Sequence, residues 1–310
     1  MQHMDADTEL SRLIARSEEI ARKKFAREIY FYHTDDFPAI SVTGGSCALD
    51  CVHCRKKLIE RLAPALTPVR LVEKCLSFHQ NGARGVLITG GCTAEAKVPV
   101  QGFLGAIAEV KDRTDLKVIA HVGLVDGKEA IRIKDAGIDG VCVDVVGSLE
   151  TTRDIYNVGI TPEKYLRTLT ALEDAGIKNI SPHVCVGLHH GRLHHEFAAL
   201  ELISAIKPSN IVIIGLTGIL GTPMEKVRIS PEDFVRVVCY AREIFPECVI
   251  SIGCARGKGH VREEIDRLSV RCAVNAIAVP TQAAYEEARS RGLKITELDS
   301  CCALLPGELG

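Results

Sequence analysis

The chain has 310 residues, 46% hydrophobic and 25% charged. That is enough apolar material for one large α/β domain or two modest ones, and it excludes a disordered polymer. A net charge of −2 removes the long-range attraction that a nucleic-acid or anionic-membrane binder needs.

The N-terminal stretch is charged and amphipathic, and predicts a helix over roughly Asp7–Tyr30 with no signal-peptide core. Short apolar runs then alternate with stretches of helical period. The expected strands are Ala39–Thr43, Gly85–Thr89, Lys117–Val122, Gly140–Val145, Asn179–Val186, Asn210–Leu216, Cys248–Ile252 and Ala276–Val279. Helical patterns between them include Val69–Gln80, Thr161–Ala175, Pro231–Phe245 and Glu263–Cys272. Two helices run into Asp-Ala-Gly-Ile, at Asp135–Ile138 and Asp174–Ile177, where Gly supplies a left-handed stop before a strand.

Repeated strand–helix units predict a parallel sheet, and about eight of them fit a full (β/α)8 TIM-type barrel. A doubly wound open sheet is the competing arrangement, but no Gly-rich dinucleotide loop follows the first strand. The expected organisation is an N-terminal helical extension (1–36), the barrel (37–292) and a C-terminal tail over the barrel mouth (293–310). No apolar run approaches a membrane span. Neither nucleic acid nor membrane is an expected partner, and the expected location is cytoplasmic.

Thirteen cysteines, an odd number in a chain without an export signal, argue for free thiols in a reducing compartment. Three form a loop after the first expected strand: Cys47, Cys51 and Cys54, spaced C-x3-C-x2-C. Three thiolates on one loop hold three irons of a [4Fe–4S] cube and leave the fourth open, whereas an electron-transfer cluster takes four. Zinc is the alternative, because His53 lies inside the loop, but no second Cys/His pair follows at a matching distance.

This spacing resembles the signature of the radical S-adenosylmethionine (SAM) superfamily, over about Phe37 to Pro280. The resemblance implies a [4Fe–4S] cluster whose open iron chelates SAM, and a 5′-deoxyadenosyl radical that removes hydrogen from an unactivated carbon. It implies that His53 packs on the adenine and that Thr89-Gly90-Gly91 binds the methionyl amino group. It also gives Asp144 to the ribose and Gly187-Leu188 to the adenine. Cys92 stands where the family's segment carries Glu.

Gly221-Thr222-Pro223-Met224 and the strand ending at Cys254 resemble the biotin-synthase-like branch. By alignment, that enzyme's three strand cysteines fall on Ile88, Ile119 and Ile180 and its arginine on Cys254, so the biotin-type auxiliary cluster is not expected here. Cys92 and Cys254 beyond their strands, with Cys301 and Cys302 in the tail, are the expected ligands of a second [4Fe–4S] cluster. Cys185 and Cys272 are held in reserve, and Cys75, Cys142, Cys239 and Cys248 read as core thiols.

Gly-Gly-Cys-Thr after the second strand, Val186–Gly191, Gly253–Arg256 and the Cys-Cys tail together resemble a subunit of the two-protein lipoyl synthase. That resemblance implies sulfur insertion into a protein-bound octanoyl chain. The implied partners are an octanoylated lipoyl carrier protein or domain, a partner radical SAM subunit, and a ferredoxin or flavodoxin electron donor. A single-cluster radical mutase or lyase is the alternative enzyme, and a non-catalytic cluster scaffold or redox sensor the alternative outside enzymes. The histidines of His189–His195 are expected to line the pocket or cap the next helix. Arg256, Lys258, His260 and Arg262 are expected to form a basic rim.

Overall fold

The computed structural model describes residues 2–305 and 307. Eleven parallel strands make one curled sheet: β1 (Glu28–His33), β2 (Ala39–Ser41), β3 (Ala63–Pro64), β4 (Gly85–Thr89), β5 (Lys117–His121), β6 (Gly140–Asp144), β7 (Ile180–Val186), β8 (Asn210–Gly215), β9 (Val249–Arg256), β10 (Ala276–Ala278) and β11 (Lys294–Asp299). Their order is β11-β1-β10-β9-β8-β7-β6-β5-β4-β2-β3, so the core from β4 to β10 steps one strand at a time around a TIM-like barrel. The ladder has two edges, β11 and β3.

The helices are α1 (Gln2–Lys24), α2 (Pro68–Gln80), α3 (Leu104–Arg113), α4 (Gly127–Asp135), α5 (Leu149–Tyr156), α6 (Pro162–Asp174), α7 (Glu196–Ile203), α8 (Pro231–Ile244), α9 (His260–Arg271) and α10 (Gln282–Ser290). Their starts carry local signals. Thr67 caps α2 through Arg70 N–H, Asp126 and Glu129 form a capping box on α4, and Ser230 caps α8 ahead of Pro231. Gly137 and Gly176 have φ of 75° and 78°, the left-handed stops expected after α4 and α6. Among the described residues no helix is long and apolar enough to cross a membrane.

Two segments differ from expectation. The N-terminal helix ends at Lys24, and residues 28–33 form β1, pairing with β10 and β11. Ile29 and Phe31 face the main core while Tyr30 and Tyr32 face the other way, a period of two that a helix does not bury. The C-terminal segment first adds β11 in parallel to β1, then turns into the barrel. There Tyr32 donates to the Leu304 carbonyl (2.8 Å), Ser181 to that of Ala303 (3.0 Å) and Asn210 to that of Cys302 (2.5 Å).

Strand alternation sorts the core. Val86, Ile88, Val118, Ala120, Val141, Val143, Ile180 and Val184 pack outward against helix residues such as Leu71, Leu169 and Val238. The residues between them, including Ile119, His121, Cys142, Asp144, Ser181 and His183, face the lumen. Of the three positions aligned with biotin-synthase cysteines, Ile88 and Ile180 therefore point at the helices and only Ile119 points inward. A one-residue slip in alignment reverses the face.

Candidate active site

The three-cysteine loop follows β2 at the C-terminal end of the sheet and is fastened to the turn after β4. Thr43 Oγ1 accepts from Gly91 N–H at 2.7 Å, and the Cys92 carbonyl accepts from Ala48 N–H at 2.7 Å. Cys92 N–H lies 3.3 Å from the Cys47 sulfur. A Cβ on Gly91 would stand 2.0 Å from the Ser46 carbonyl oxygen and 2.6 Å from Cys47 Cβ. Glycine is needed here so that the turn can approach the cysteine loop.

Cys47, Cys51, His53, Cys54, Thr89, Gly90, Gly91, Cys92 and Asp144 line one cavity. His121, Tyr156 and Tyr165 line it too; His121 falls at a strand end, where the chemistry of such a barrel is expected, and the two tyrosines carry no sequence signal. Cys51 donates to Cys54, which lowers the Cys54 thiol and raises Cys51; His53 also favours the Cys54 thiolate. The Nδ1 of His53 is buried without a partner, although its ring lies 5.7 Å from Tyr156. A buried orphan nitrogen facing a cavity beside three convergent thiols fits a site completed by a cluster and a polar ligand.

Asp144, at the end of β6, lies 3.7 Å from His121 Nδ1. Its side chain is 54% exposed, but into this cavity rather than open solvent. Burial alone would raise its carboxyl; the ion pair with His121, with His183 behind, holds it at about 2. The site thus presents a fixed carboxylate opposite the cysteine loop, suited to accepting hydroxyl donors.

Gly187 and Leu188 do not line the cavity: Gly187 N–H is taken by Glu196 Oε1 at 2.7 Å, and Leu188 is buried in the main core. Cys92 sits with Cys47 and Cys54 beside Asp144, not with the tail cysteines, and burial pushes its thiol up to about 12. In the tail, Cys301 packs against Phe37, Ile119 and Cys142, and Cys302 against Tyr32, Val212 and Ala278.

Cys142 is not a plain core thiol, because its sulfur and one donor nitrogen each of His121 and His183 lie within 4.8 Å of one another. Cys272 faces away from the lumen, 3.6 Å from Cys239. Cys185 is on β7 beside the Glu196 turn.

Of the histidine run, His195 takes the N-cap position of α7, one of the two expected places. His195 is buried against Glu196, while His189 and His194 stack at 4.3 Å near Glu150, and none of the run lines the cavity. Glu196, the first residue of α7, accepts from the amides of Gly187, His194 and His195 and so ties the loop to the helix start. Of the basic rim, Arg256 is fully buried, paired with Asp266 at 2.5 Å and bonded to the carbonyls of Gly253, Ala278 and Val279. Lys258 and Arg262 donate to the carbonyls of Gly218 and Cys254, and His260 is exposed.

A family model described as the Radical SAM superfamily matches residues 41–198. Among curated relatives, a biotin synthase of Coxiella burnetii is 28% identical over 232 residues, covering 70% of this chain and 68% of that protein. The biotin synthase of Aromatoleum aromaticum is 25% identical over 247 residues, covering 77% and 73%. Among solved structures, methylornithine synthase (PylB) superposes with a TM-score of 0.66 at 16% identity, over 93% of this chain and 89% of that one. The hydrogenase maturase HydG from Carboxydothermus hydrogenoformans gives 0.66 at 15% identity, over 93% and 72%.

Proposed function

This chain belongs to the radical SAM superfamily, and from that premise we propose that it inserts sulfur into a protein-bound octanoyl chain, as one subunit of a two-protein lipoyl synthase. When bound, the family's [4Fe–4S] cluster and SAM supply hydrogen abstraction from an unactivated carbon. Cys47, Cys51 and Cys54 would hold that cluster, and the Thr43–Gly91 and Ala48–Cys92 bonds fix their loop against the sheet. Asp144, kept ionised by His121, would orient the nucleoside through its hydroxyls. His53 Nδ1 would find its missing partner on the same ligand.

The observation that carries the sulfur-insertion reading is the tail. Residues 302–304 are buried in the lumen by bonds from three strands, which packs Cys301 against Cys142 and buries Cys302 beside it in the chain. A sulfide donor must sit beside the substrate radical with water excluded, and a tail packed inside the barrel meets that need better than a mobile flap. The second cluster is accordingly assigned to Cys254, Cys301 and Cys302, with Cys142 in place of Cys92.

Biotin itself is disfavoured as the product. On the lumen faces of β4, β5 and β7 the only cysteine is Cys185, so the strand-borne set aligned from biotin synthase is missing. An octanoylated lipoyl carrier, a partner radical subunit and a ferredoxin or flavodoxin are the proposed partners.

The test is anaerobic turnover of the reconstituted protein with SAM, reductant and octanoylated carrier, alone and with a candidate partner subunit. Mass spectrometry of the carrier should show addition of sulfur. Cleavage of SAM with an unchanged carrier, under both conditions, would overturn the assignment and favour the single-cluster mutase or lyase.

A further inference from the structure

The lumen beneath the SAM cavity holds nitrogen donors as well as thiols. In the parallel register His121 stands beside Cys142, Cys142 beside Ser181, and Asp144 beside His183, so β5, β6 and β7 aim these side chains into one space. One donor atom from each of His121, Cys142 and His183 falls within 4.8 Å of the others. The two imidazole rings are 5.0 Å apart between centroids. Cys142 is 1% exposed and His183 8%. Cys301, on the tail that fills the lumen, packs against the same cluster of Phe37, Ile119 and Cys142.

The two histidines differ in what holds them. His183 Nδ1 lies 2.9 Å from the carbonyl oxygen of Ser181, to which only a protonated Nδ1 can donate. That bond fixes the tautomer and leaves Nε2 with its lone pair, the arrangement found behind metal-bound histidines. Ser181 is itself immobilised, since its hydroxyl donates to the Ala303 carbonyl of the tail. The same residue therefore orients the imidazole and anchors the segment that carries Cys301 and Cys302. His121 is shared between Asp144, 3.7 Å from its Nδ1, and Cys142, whereas the Ser181 carbonyl engages His183 through Nδ1 and leaves its Nε2 for the lumen.

We propose that His183 is a ligand of the second cluster, so that this cluster has mixed thiolate and imidazole ligation. The proposal rests on the sulfur-insertion reading, since it presumes the second cluster. An imidazole in place of a thiolate removes one negative charge from the cluster and raises its reduction potential.

The test uses the full chain with Cys47, Cys51 and Cys54 changed to Ala, reconstituted with iron and sulfide and then reduced. Pulsed electron paramagnetic resonance should show nitrogen modulation that changes from 14N to 15N when histidine alone is isotopically labelled. The modulation should vanish in His183→Ala and persist in His121→Ala. His183→Cys should keep the iron and sulfide, lose the nitrogen coupling and lower the reduction potential; it guards against a misfolded alanine variant.

A second cluster with full iron and sulfide but no histidine nitrogen would overturn the proposal while leaving the sulfur-insertion reading standing. Coupling that survives His183→Ala and disappears in His121→Ala would overturn it in favour of His121. Absence of any second cluster would overturn the reading and the proposal together.

Discussion

Gly91→Ala is expected to damage the site without touching a cysteine. The added Cβ would lie 2.0 Å from the Ser46 carbonyl oxygen, 2.6 Å from Cys47 Cβ and 2.7 Å from Cys47 Cα. All three belong to the cysteine loop itself, and two are backbone atoms, so no flexible side-chain end can swing away. Relief requires the turn after β4 to part from the loop. Separation stretches the Gly91 N–H to Thr43 bond and the Ala48 N–H to Cys92 carbonyl bond, each 2.7 Å. Overpacking costs about 1–3 kcal/mol and a lost hydrogen bond about 1 kcal/mol, so loss of one of the two bonds brings the total to about 2–4 kcal/mol.

At about 2–3 °C per kcal/mol for a chain of this size, the apoprotein should melt about 5–10 °C lower. Gly102→Ala is the control, because nothing lies within 4 Å of its built Cβ. The assays are thermal melting of the apoprotein and iron uptake on anaerobic reconstitution. Gly91→Ala with the parent's melting temperature and full iron uptake would refute the argument that this glycine fits the turn to the loop.

Other perturbations test separate parts of the account. Asp144→Asn should weaken SAM binding about 10-fold or more, since hydrogen bonds to a charged group contribute about 1.5–3 kcal/mol; equilibrium binding to the reconstituted protein checks it, and unchanged affinity would remove Asp144 from the site. Arg256→Ala should cost about 3–5 kcal/mol in urea denaturation by stranding Asp266 in the core, and Arg256→Met with Asp266→Leu should recover part of the loss.

Glu28 joins β1 to β11 through Lys294 and Thr296, whose hydrogen bonds hold its carboxyl at about 2. A lowered folded pKa gives stability that is present above about pH 4.5 and is lost as pH falls toward 2. Glu28→Gln should therefore be less stable at pH 7 by about 1–2 kcal/mol, discounted for the exposed Lys294, with the deficit shrinking at pH 3. Truncation after Asp299 should lower the melting temperature, since Tyr32, Ser181 and Asn210 lose the carbonyls they bond.

The strands from β4 to β10 were legible because their apolar runs are bounded by Gly-led stops and capped helices. Residues 28–33 were less so. Glu-Ile-Tyr-Phe-Tyr-His follows a charged amphipathic helix without a break residue, and only its pairing with β10 and β11 shows it to be a strand. The cysteine loop and its Gly-Gly turn were readable because their chemistry is local. Spacing alone puts the three thiols together.

The lumen was not readable in the same way, because it is made by register across strands distant in sequence. Cys142 looked like a core thiol until its strand face placed it beside His121 and His183. Cys92 shared a position beyond a strand with Cys254, but the bonds of its own turn carry it to the three-cysteine loop. Arg256 read as surface charge, yet Asp266 ten residues on draws it into the core.

The measurement that bears most directly on the account is the iron and sulfide content, with Mössbauer spectra, of the Cys47/Cys51/Cys54→Ala chain after anaerobic reconstitution. The account predicts a surviving iron–sulfur signal that is lost when Cys301 and Cys302 are also changed to Ala. A chain left with no cluster once the first three cysteines are gone would contradict it.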